Sequence, residues 1–520
     1  MNRTDLYPPA DTILFNARTL TSESKVVDNC FVAIKKDKIL FFGHQKDLAQ
    51  FCGAKTNLIN CSNGTILPGF NDAHCHPVAY ATTLLYVDCS PDKVKNIFEI
   101  QSCIRAKAAQ KPVGTWIRAA NYDDLELAEK RPPRRDELDQ AASDHPVILV
   151  HRTGQHSILN TCAMQKLGID QHCQDGQMLK NFQTDISDGF IAGSEKKIIE
   201  KIPPLDENEL IDGLKLANKT YLSLGITSVQ DMGWNNGLEH WQRLKKIFEN
   251  KMLGFRYCMF IGSSYIEEFQ KLGLRTGHGN RHLRLGGVKI ALDESTGCIH
   301  PPEKDIIQIA EKAFKAGFQL AFHVSDIYML KTSLAAIESL MDKTSNADHR
   351  HRLEHCGICP PDLVLRLKRS KALVVCQPSF LYHLGHRYLE ELSPEQLKWV
   401  FPFGSYRKKN IKMAFSSDAP FMPPDPLAGI CAALTREVSD GRLLSCHERI
   451  SLQDAIQMYT FWGAYASFED HIKGSLAPGK LADLIVIDDD IFQVTIEDIK
   501  HLKVQRTLIG GKTVWQNDQL

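Results

Sequence analysis

The chain has 520 residues, of which 62 are Lys or Arg and 62 are Asp or Glu, and 43% of its residues are apolar. This composition is typical of a soluble globular protein, and a zero net charge provides no global field for binding nucleic acid or an anionic membrane. The apolar runs are too short to cross a bilayer, and the first 20 residues lack the apolar core of a secretory signal. Because 15 cysteines without such a signal indicate a reducing compartment, we expect a cytoplasmic protein.

Both ends of the chain are rich in short β-type runs. Near the start these runs lie within residues 12–66, and near the end they occupy 484–487, 504–509 and 513–515. Gly510-Gly511 has the composition of a two-residue hairpin turn. The pattern predicts one small composite β-sandwich domain from residues 1–66 and 474–520, with residues 67–473 inserted in it.

The middle of the chain alternates between helical and strand patterns. Residues 206–224 have apolar residues at helical spacing and are closed by Gly225, and residues 304–316 are similarly closed by Gly317. A strand pattern follows each of these glycines. This alternation over residues 67–473 predicts an α/β fold, most simply a (β/α)₈ TIM barrel. A doubly wound open sheet is the alternative, but no Gly-x-Gly-x-x-Gly follows the first strand.

Two histidines lie one residue apart in the run Ile66–Pro77. Residues i and i+2 of a strand share a face, so His74 and His76 would point the same way and bind one metal ion. Further polar residues stand at later predicted strand ends: Lys289, His323, His355 and Asp418. In a barrel the carboxyl ends of all eight strands open on one face, so these side chains are expected to converge. Histidines with a carboxylate form a site for one or two divalent ions, with zinc the favoured metal.

Several motifs of this chain are similar to those of a known family. They are residues 67–76 (LPGFNDAHCH), 225–229 (GITSV), 352–355 (RLEH), 415–420 (FSSDAP), 425–429 (DPLAG) and 474–487 (GSLAPGKLADLIVI). The chain resembles the amidohydrolase superfamily, and within it the YtcJ-like branch, amidohydrolase family 3, over about residues 10 to 516. The sequence departs from the branch after Lys289 and after His323, which leaves the substrate specificity open.

The resemblance implies a metal-dependent hydrolase that cleaves a carbon–nitrogen bond, other than a peptide bond, of a small amide, cyclic amide or formamide-like molecule. Asp418 would be the proton-transfer group, and His355 or His323 would donate to the developing oxyanion. His156, Arg352 and Trp116 are candidate substrate contacts. Two alternatives stay open: a lyase or isomerase that uses the same metal, and a non-catalytic scaffold. Homo-oligomerisation is also left open.

Lys289 lies in an apolar run. The small residues Gly287 and Ala291 stand two positions before it and two positions after it. We expect these residues to leave room around the lysine and burial to free its neutral amine. A neutral amine can add carbon dioxide, and the resemblance implies a carboxylated lysine that bridges two ions. The alternative is an ammonium paired with Asp293 or Glu294, beside a single ion.

Overall fold

The computed structural model describes residues 8–21, 23–152, 156–169, 178–180, 187–192, 202–203, 205, 207–292, 301–341 and 348–517. Residues 1–77 and 218–520 group into one compact unit, and residues 78–217 group into a second. The second unit has a sheet of its own, whereas the sequence pattern predicts one barrel over residues 67–473. Among the described residues, no helix is long and apolar enough to cross a membrane.

The first unit contains eight parallel strands in sequential order, each paired with the next along the chain. These barrel strands are Phe70–Cys75, Ile226–Asp231, Arg256–Gly262, Leu283–Ile290, Gln319–Val324, Arg352–His355, Leu373–Cys376 and Met413–Phe415. The segment just after the eighth strand bonds to the carboxyl end of the first strand, where Asp418 N donates to the His74 carbonyl at 2.8 Å. The predicted (β/α)₈ barrel is therefore confirmed.

Helices follow most of the barrel strands. Their bounds in the first unit, together with the helix that leads into it, are Glu207–Ser223, Leu238–Glu249, Ile266–Lys271, Glu303–Lys315, Ile327–Met341, Pro361–Ser370, Ser379–Glu391, Pro394–Leu397, Phe403–Lys408, Pro426–Thr435, Leu452–Tyr459 and Phe461–Ala466. Gly225 and Gly317 stand just beyond two of these helices with φ of 77° and 81°. Glycine adopts this left-handed conformation without a Cβ penalty, so both predicted helix ends are confirmed.

Two short helices follow each other directly near the end of the barrel. Leu452–Tyr459 and Phe461–Ala466 are separate helices. Thr460 between them has φ −120° and ψ −85°, which is outside the helical region. The break brings Gly463 so close to the first barrel strand that an added Cβ would lie 2.8 Å from the Cβ of Asn71.

A second sheet of the first unit joins the two ends of the chain. Its eight strands are Thr12–Leu20, Val26–Lys35, Lys38–His44, Asn57–Asn60, Thr65–Pro68, Leu484–Ile487, Val504–Ile509 and Lys512–Gln516. Thr65–Pro68 pairs with Leu484–Ile487 in antiparallel fashion, which connects the early strands to the late ones. Gly510 and Gly511 form the expected hairpin turn, with φ of 55° and 74°.

The second unit contains a six-stranded mixed sheet. In spatial order its strands are Met178–Lys180, Ser187–Ala192, His156–Leu159, Val147–His151, Ile117–Tyr122 and Val87–Asp88. The helices assigned to it are Pro77–Thr83, Ile97–Ala108, Arg135–Ala142 and Thr161–Leu167. A cluster that includes Ile100, Ile104, Leu138 and Leu149 forms the apolar core of this unit.

Candidate metal centre

The His-x-His pair lies where the first barrel strand ends. His74 is buried and His76 is half-buried, and the Nε2 atoms of both face the same carboxylate oxygen. That oxygen is Oδ1 of Asp418, which lies 3.5 Å from His74 Nε2 and 3.1 Å from His76 Nε2. The backbone fixes this arrangement, because His76 N also donates to the Ala419 carbonyl at 2.8 Å. The junction between the first and eighth strands therefore holds three of the predicted ligands together, namely His74, His76 and Asp418.

Two more histidines come from neighbouring barrel strands. His323 is near the end of the fifth strand and His355 is the last residue of the sixth. His355 Nε2 lies 3.2 Å from His323 Nδ1, and the ring centroids of His355 and His74 are 4.8 Å apart. The strand ends thus bring together the five residues His74, His76, His323, His355 and Asp418.

Two of these rings are oriented by buried polar partners. His74 Nδ1 donates to Glu354 Oε2 at 2.6 Å, and His355 Nδ1 donates to the amide oxygen of Gln377 at 2.9 Å. The side-chain amide of Gln377 is itself fixed in orientation, because its Nε2 donates to Ser416 Oγ at 2.9 Å. A ring whose Nδ1 carries the proton has its lone pair on Nε2, so both Nε2 atoms are available as metal ligands.

Burial favours the neutral form of three of these histidines. Burial lowers the pKa of His74 and of His323 well below the usual range, and it also lowers the pKa of His355. The charge of Lys289 contributes to each of these shifts in the same direction. A neutral imidazole is the form that binds a metal, so the site does not need to lose protons from these rings on binding.

The separations of the donor atoms fit a divalent ion. Ligand atoms about 2.0–2.1 Å from a tetrahedral ion are about 3.3 Å from one another, and the separations recorded here are 3.1, 3.2 and 3.5 Å. Imidazole nitrogen with carboxylate oxygen suits Zn²⁺ and related transition metals. His74, His355 and Asp418 alone offer three ligand atoms within 4.8 Å of one another.

Two of the five residues have an unusual backbone. His355 has φ 68° and Asp418 has φ 61°, in the left-handed region that few residues other than glycine adopt. Backbone conformations of this kind persist where the surrounding structure enforces them, and they cluster at functional sites. In this barrel the conformation occurs at two of the strand ends that carry candidate ligands.

Lys289 is buried on the fourth barrel strand, with Gly262 and Ala321 as its register neighbours. Burial lowers its pKa to about 8, against the opposing charges of Glu354 and Asp418. The room expected at Gly287 is absent, because a Cβ there would lie 2.2 Å from the carbonyl oxygen of Gln319. The predicted alternative partners, Asp293 and Glu294, lie outside the described residues.

Arg352 is fully buried, and its guanidinium nitrogens donate inside the barrel. Nε and Nη2 bind the two oxygens of Glu354 at 2.7 and 2.9 Å, and Nη2 also donates to the Ala73 carbonyl at 2.6 Å. Nη1 donates to Gln230 Oε1. These bonds engage the guanidinium with protein acceptors inside the barrel. A substrate contact stays a prediction for Arg352.

The other two suggested substrate contacts belong to the second unit. Trp116 is half-buried and packs against an apolar cluster that includes Ile148, Leu159 and Met164. His156 begins a strand of the six-stranded sheet, and its ring stacks on that of His151 with centroids 4.1 Å apart. Gly154 and Gln155 lie outside the described residues. A substrate contact stays a prediction for both Trp116 and His156.

The residues that support the ligands are not among those predicted from the sequence. Glu354 directly precedes His355, and Gln377 directly follows the seventh strand. Asp72 was also missed; its oxygens accept bonds from the backbone N and Oγ of Ser417, which tie the first strand to the loop after the eighth. Burial raises the pKa of Asp72 to about 6, against these hydrogen bonds. The available signal was position, since Asp72 is two residues before His74 on the same strand.

Comparisons with known proteins agree with this architecture. The model of the amidohydrolase family matches residues 57–515. The chain is 24% identical to the N-substituted formamide deformylase of Arthrobacter pascens over 96% of this chain and 97% of the relative. It is also 24% identical to the putative amidohydrolase YtcJ of Bacillus subtilis strain 168, with 90% and 92% of the two chains covered.

A solved structure is similar over almost the same extent. It is an uncharacterized metal-dependent hydrolase from Pyrococcus horikoshii OT3, with a TM-score of 0.74 and 23% identity. The alignment covers 93% of this chain and 99% of that one, which supports the fold of both the barrel and the additional parts. With a parallel eight-stranded barrel, converging histidines and a family match over most of its length, the chain belongs to the amidohydrolase family.

Proposed function

We propose that this protein is a metal-dependent amidohydrolase that hydrolyses a carbon–nitrogen bond of a small amide, cyclic amide or formamide-like substrate. The observation that carries the proposal is the position of Asp418, whose Oδ1 lies 3.1 and 3.5 Å from two histidine Nε2 atoms at the barrel mouth. The full-length similarity to an N-substituted formamide deformylase supports the substrate class.

The proposed ligands are His74, His76, His323, His355 and Asp418, with zinc favoured by their chemistry. A divalent ion bound there would polarise a carbonyl oxygen and lower the pKa of a water molecule. Glu354 and Gln377 hold two rings in the required tautomer. Arg352 acts through Glu354, because its two bonds to that carboxylate fix the partner of His74.

Asp418 would move the proton in the reaction. Its carboxylate would take a proton from the attacking water and deliver it to the leaving nitrogen, as a general base and then a general acid. His355 commits the Nδ1 proton of its neutral ring to Gln377, so His323 is the better candidate to donate to the developing oxyanion. We assign His355 to metal binding alone.

Lys289 is proposed to carry a carboxylate. With a pKa of about 8, a substantial share of its side chain is neutral amine near pH 7.5. The amine nitrogen would attack carbon dioxide and release one proton, which gives a carbamate anion inside the barrel. That anion would allow two ions instead of one to be held by the same set of histidines.

The reaction class is tested with purified, zinc-loaded protein and a panel of N-substituted formamides, linear amides and cyclic amides. Release of a free amine, or ring opening of a cyclic amide, supports hydrolysis. In ¹⁸O-labelled water a hydrolase places one ¹⁸O atom in the carboxylic acid product. A product without the label indicates a lyase or isomerase, and no turnover of any substrate class by fully loaded protein favours a scaffold.

A further inference from the structure

A second group of metal-ligating side chains lies in the unit formed by residues 78–217. We propose that Asp124, His151 and His156 bind one divalent transition-metal ion of the Zn²⁺ class in this unit. These three residues are called the insert cluster below. The proposal is independent of the activity proposed for the barrel.

The topology of the six-stranded sheet brings the three residues to one end of it. Val147–His151 pairs in parallel with Ile117–Tyr122, so that His151 is in register with Tyr122 and Asp124 follows two residues later. The next strand, His156–Leu159, runs antiparallel and begins with His156 at the same end. Residues that are 32 positions apart in sequence therefore converge through strand pairing, as metal ligands commonly do.

The separations within the insert cluster are within reach of one ion. One ligand atom from each of the three residues lies within 4.8 Å of the other two. His151 Nε2 is 3.1 Å from Asp124 Oδ1, and the imidazole rings of His151 and His156 are stacked at 4.1 Å with 23° between their planes. Atoms bound to one tetrahedral ion are about 3.3 Å apart. Because an imidazole binds a metal in the plane of its ring, one of the two stacked rings must turn out of the stack to complete the set.

Neighbouring groups make Asp124 the carboxylate ligand in place of Asp123. Asp123 is buried and its Oδ2 accepts a bond from Arg152 at 3.0 Å, while its Oδ1 accepts from the backbone N of Leu125 at 3.1 Å. The Arg152 charge neutralises Asp123, so Asp124 supplies the negative charge toward the histidines. Asp124 and His156 are half-buried, which leaves the cluster accessible to ions from solvent.

The donor set selects the metal. Two imidazoles with one carboxylate favour Zn²⁺, Co²⁺ or Ni²⁺, whereas Mg²⁺ and Ca²⁺ prefer oxygen donors. Three protein ligands leave a fourth position for water, as in open zinc sites. Aromatic rings hold the histidines in place, because His151 packs edge-on against Tyr122 at 5.1 Å and His156 stacks on Phe190 at 4.9 Å.

The test uses the full chain, stripped with a chelator and titrated with Zn²⁺ after removal of the chelator. In a His74→Ala, His76→Ala background, where barrel binding is weakened, the wild-type insert cluster should still hold about one Zn²⁺. Adding His151→Gln or Asp124→Asn should remove that ion or weaken its binding at least 10-fold. Adding Glu126→Gln, an exposed carboxylate two residues beyond Asp124, should leave it bound.

A second measurement covers the case in which the barrel variants do not fold. With the barrel intact, metal analysis should give one Zn²⁺ fewer in Asp124→Asn than in Glu126→Gln. Co²⁺ absorption should likewise lose the component contributed by the insert cluster. Equal metal content and equal Co²⁺ spectra in these two variants would overturn the proposal and leave the cluster as a stacked histidine pair beside Asp124.

Discussion

The two histidine clusters of this molecule differ in the contacts that the structure shows for their rings. In the barrel, Glu354 and Gln377 accept the Nδ1 protons of His74 and His355, so hydrogen bonds fix both the tautomer and the ring direction. In the insert cluster, the rings of His151 and His156 are stacked on each other. Hydrogen bonds to a ring nitrogen specify which nitrogen is a ligand, whereas stacking specifies only the plane of the ring.

If both proposals hold, this difference predicts two kinds of metal site. The barrel set is preorganised by buried charged and polar groups, which raise ligand basicity and resist rearrangement. The insert cluster has half-buried members, and its two rings are stacked, so one ring must leave the stack before both can face one ion. We therefore expect tight, slowly exchanging metal in the barrel and weaker, readily exchanged metal in the insert cluster. The predictions that follow test this contrast, in order of expected effect.

The largest expected effect is on turnover in Asp418→Asn. The amide keeps the size of the side chain but removes its proton-accepting carboxylate, and general acid–base catalysis contributes about 10²–10⁴-fold. We expect kcat to fall by that factor while the fold and bound metal are retained. Metal analysis and circular dichroism should accompany the rate measurements.

The control for this variant is Asp440→Asn, which changes an exposed carboxylate paired with Arg442. It should keep the wild-type rate. If Asp418→Asn also turns over substrate at a near wild-type rate, the proton-transfer group is a different residue.

The second prediction concerns the group that orients His74. Glu354→Gln leaves the fully buried Arg352 without its carboxylate partner and removes the acceptor charge of the His74 Nδ1 proton. Loss of such a supporting group typically weakens metal affinity about 10–100-fold, and breaking a buried pair costs about 3–5 kcal/mol of stability. Zinc titration and denaturant unfolding measure the two effects separately.

Glu469→Gln is a matched control, because Glu469 is also buried and pairs with Lys473 at 2.9 Å. It should lose stability but keep zinc affinity. An equal loss of zinc affinity in both variants would mean that Glu354 acts only through general stability, and the contrast between the clusters would fail.

The third prediction tests the number of ions in the barrel. If Lys289 carries a carbamate, Lys289→Ala should lower the barrel content from about two ions to about one, and short carboxylic acids should restore part of the activity. ¹³C-labelled bicarbonate should give a carbamate signal in the wild type and none in the variant. These measurements should be made in an Asp124→Asn background, so that metal bound by the insert cluster does not add to the number of ions measured for the barrel.

Lys473→Ala is the control for Lys289→Ala, since Lys473 is another buried lysine of the same unit. Its metal content should match the wild type. Unchanged metal content and rate in Lys289→Ala would show that the lysine is not a ligand and that the barrel site is built without it.

The sequence was sufficient to predict the barrel and the convergence of five polar residues, because both follow from local rules. Strand ends of a barrel share one face, so His74, His323, His355 and Asp418 needed only correct strand assignments to be placed together. The supporting residues depend on tertiary pairing that no local pattern reports. Glu354 was treated as part of a motif, and its bond to a histidine 280 positions earlier is apparent only in the structure.

The separate unit at residues 78–217 was missed for a related reason. Its strands have the same apolar patterns as barrel strands, and periodicity does not report which sheet a strand joins. Arg352 illustrates the same limit, because its bonds to Glu354 and to the Ala73 carbonyl depend on how the strands pair and not on a local pattern. The sequence singles out His156 as a candidate substrate contact, but it does not single out Asp124 or His151, the other two residues of the insert cluster.

The smallest expected effect comes from the stacking that holds the insert cluster. Phe190→Leu keeps an apolar side chain beside His156 but removes the aromatic ring that stacks on it at 4.9 Å. An aromatic pair is worth about 0.5–1.5 kcal/mol beyond its burial, which corresponds to roughly a 2- to 12-fold change in an equilibrium constant. In the His74→Ala, His76→Ala background we therefore expect zinc affinity to fall by that factor, while the stoichiometry stays at about one ion. Phe98→Leu, at an exposed aromatic of the same unit, should leave the affinity unchanged. If Phe190→Leu binds zinc as tightly as its parent, stacking does not position His156, and the ring must be held by hydrogen bonds as in the barrel.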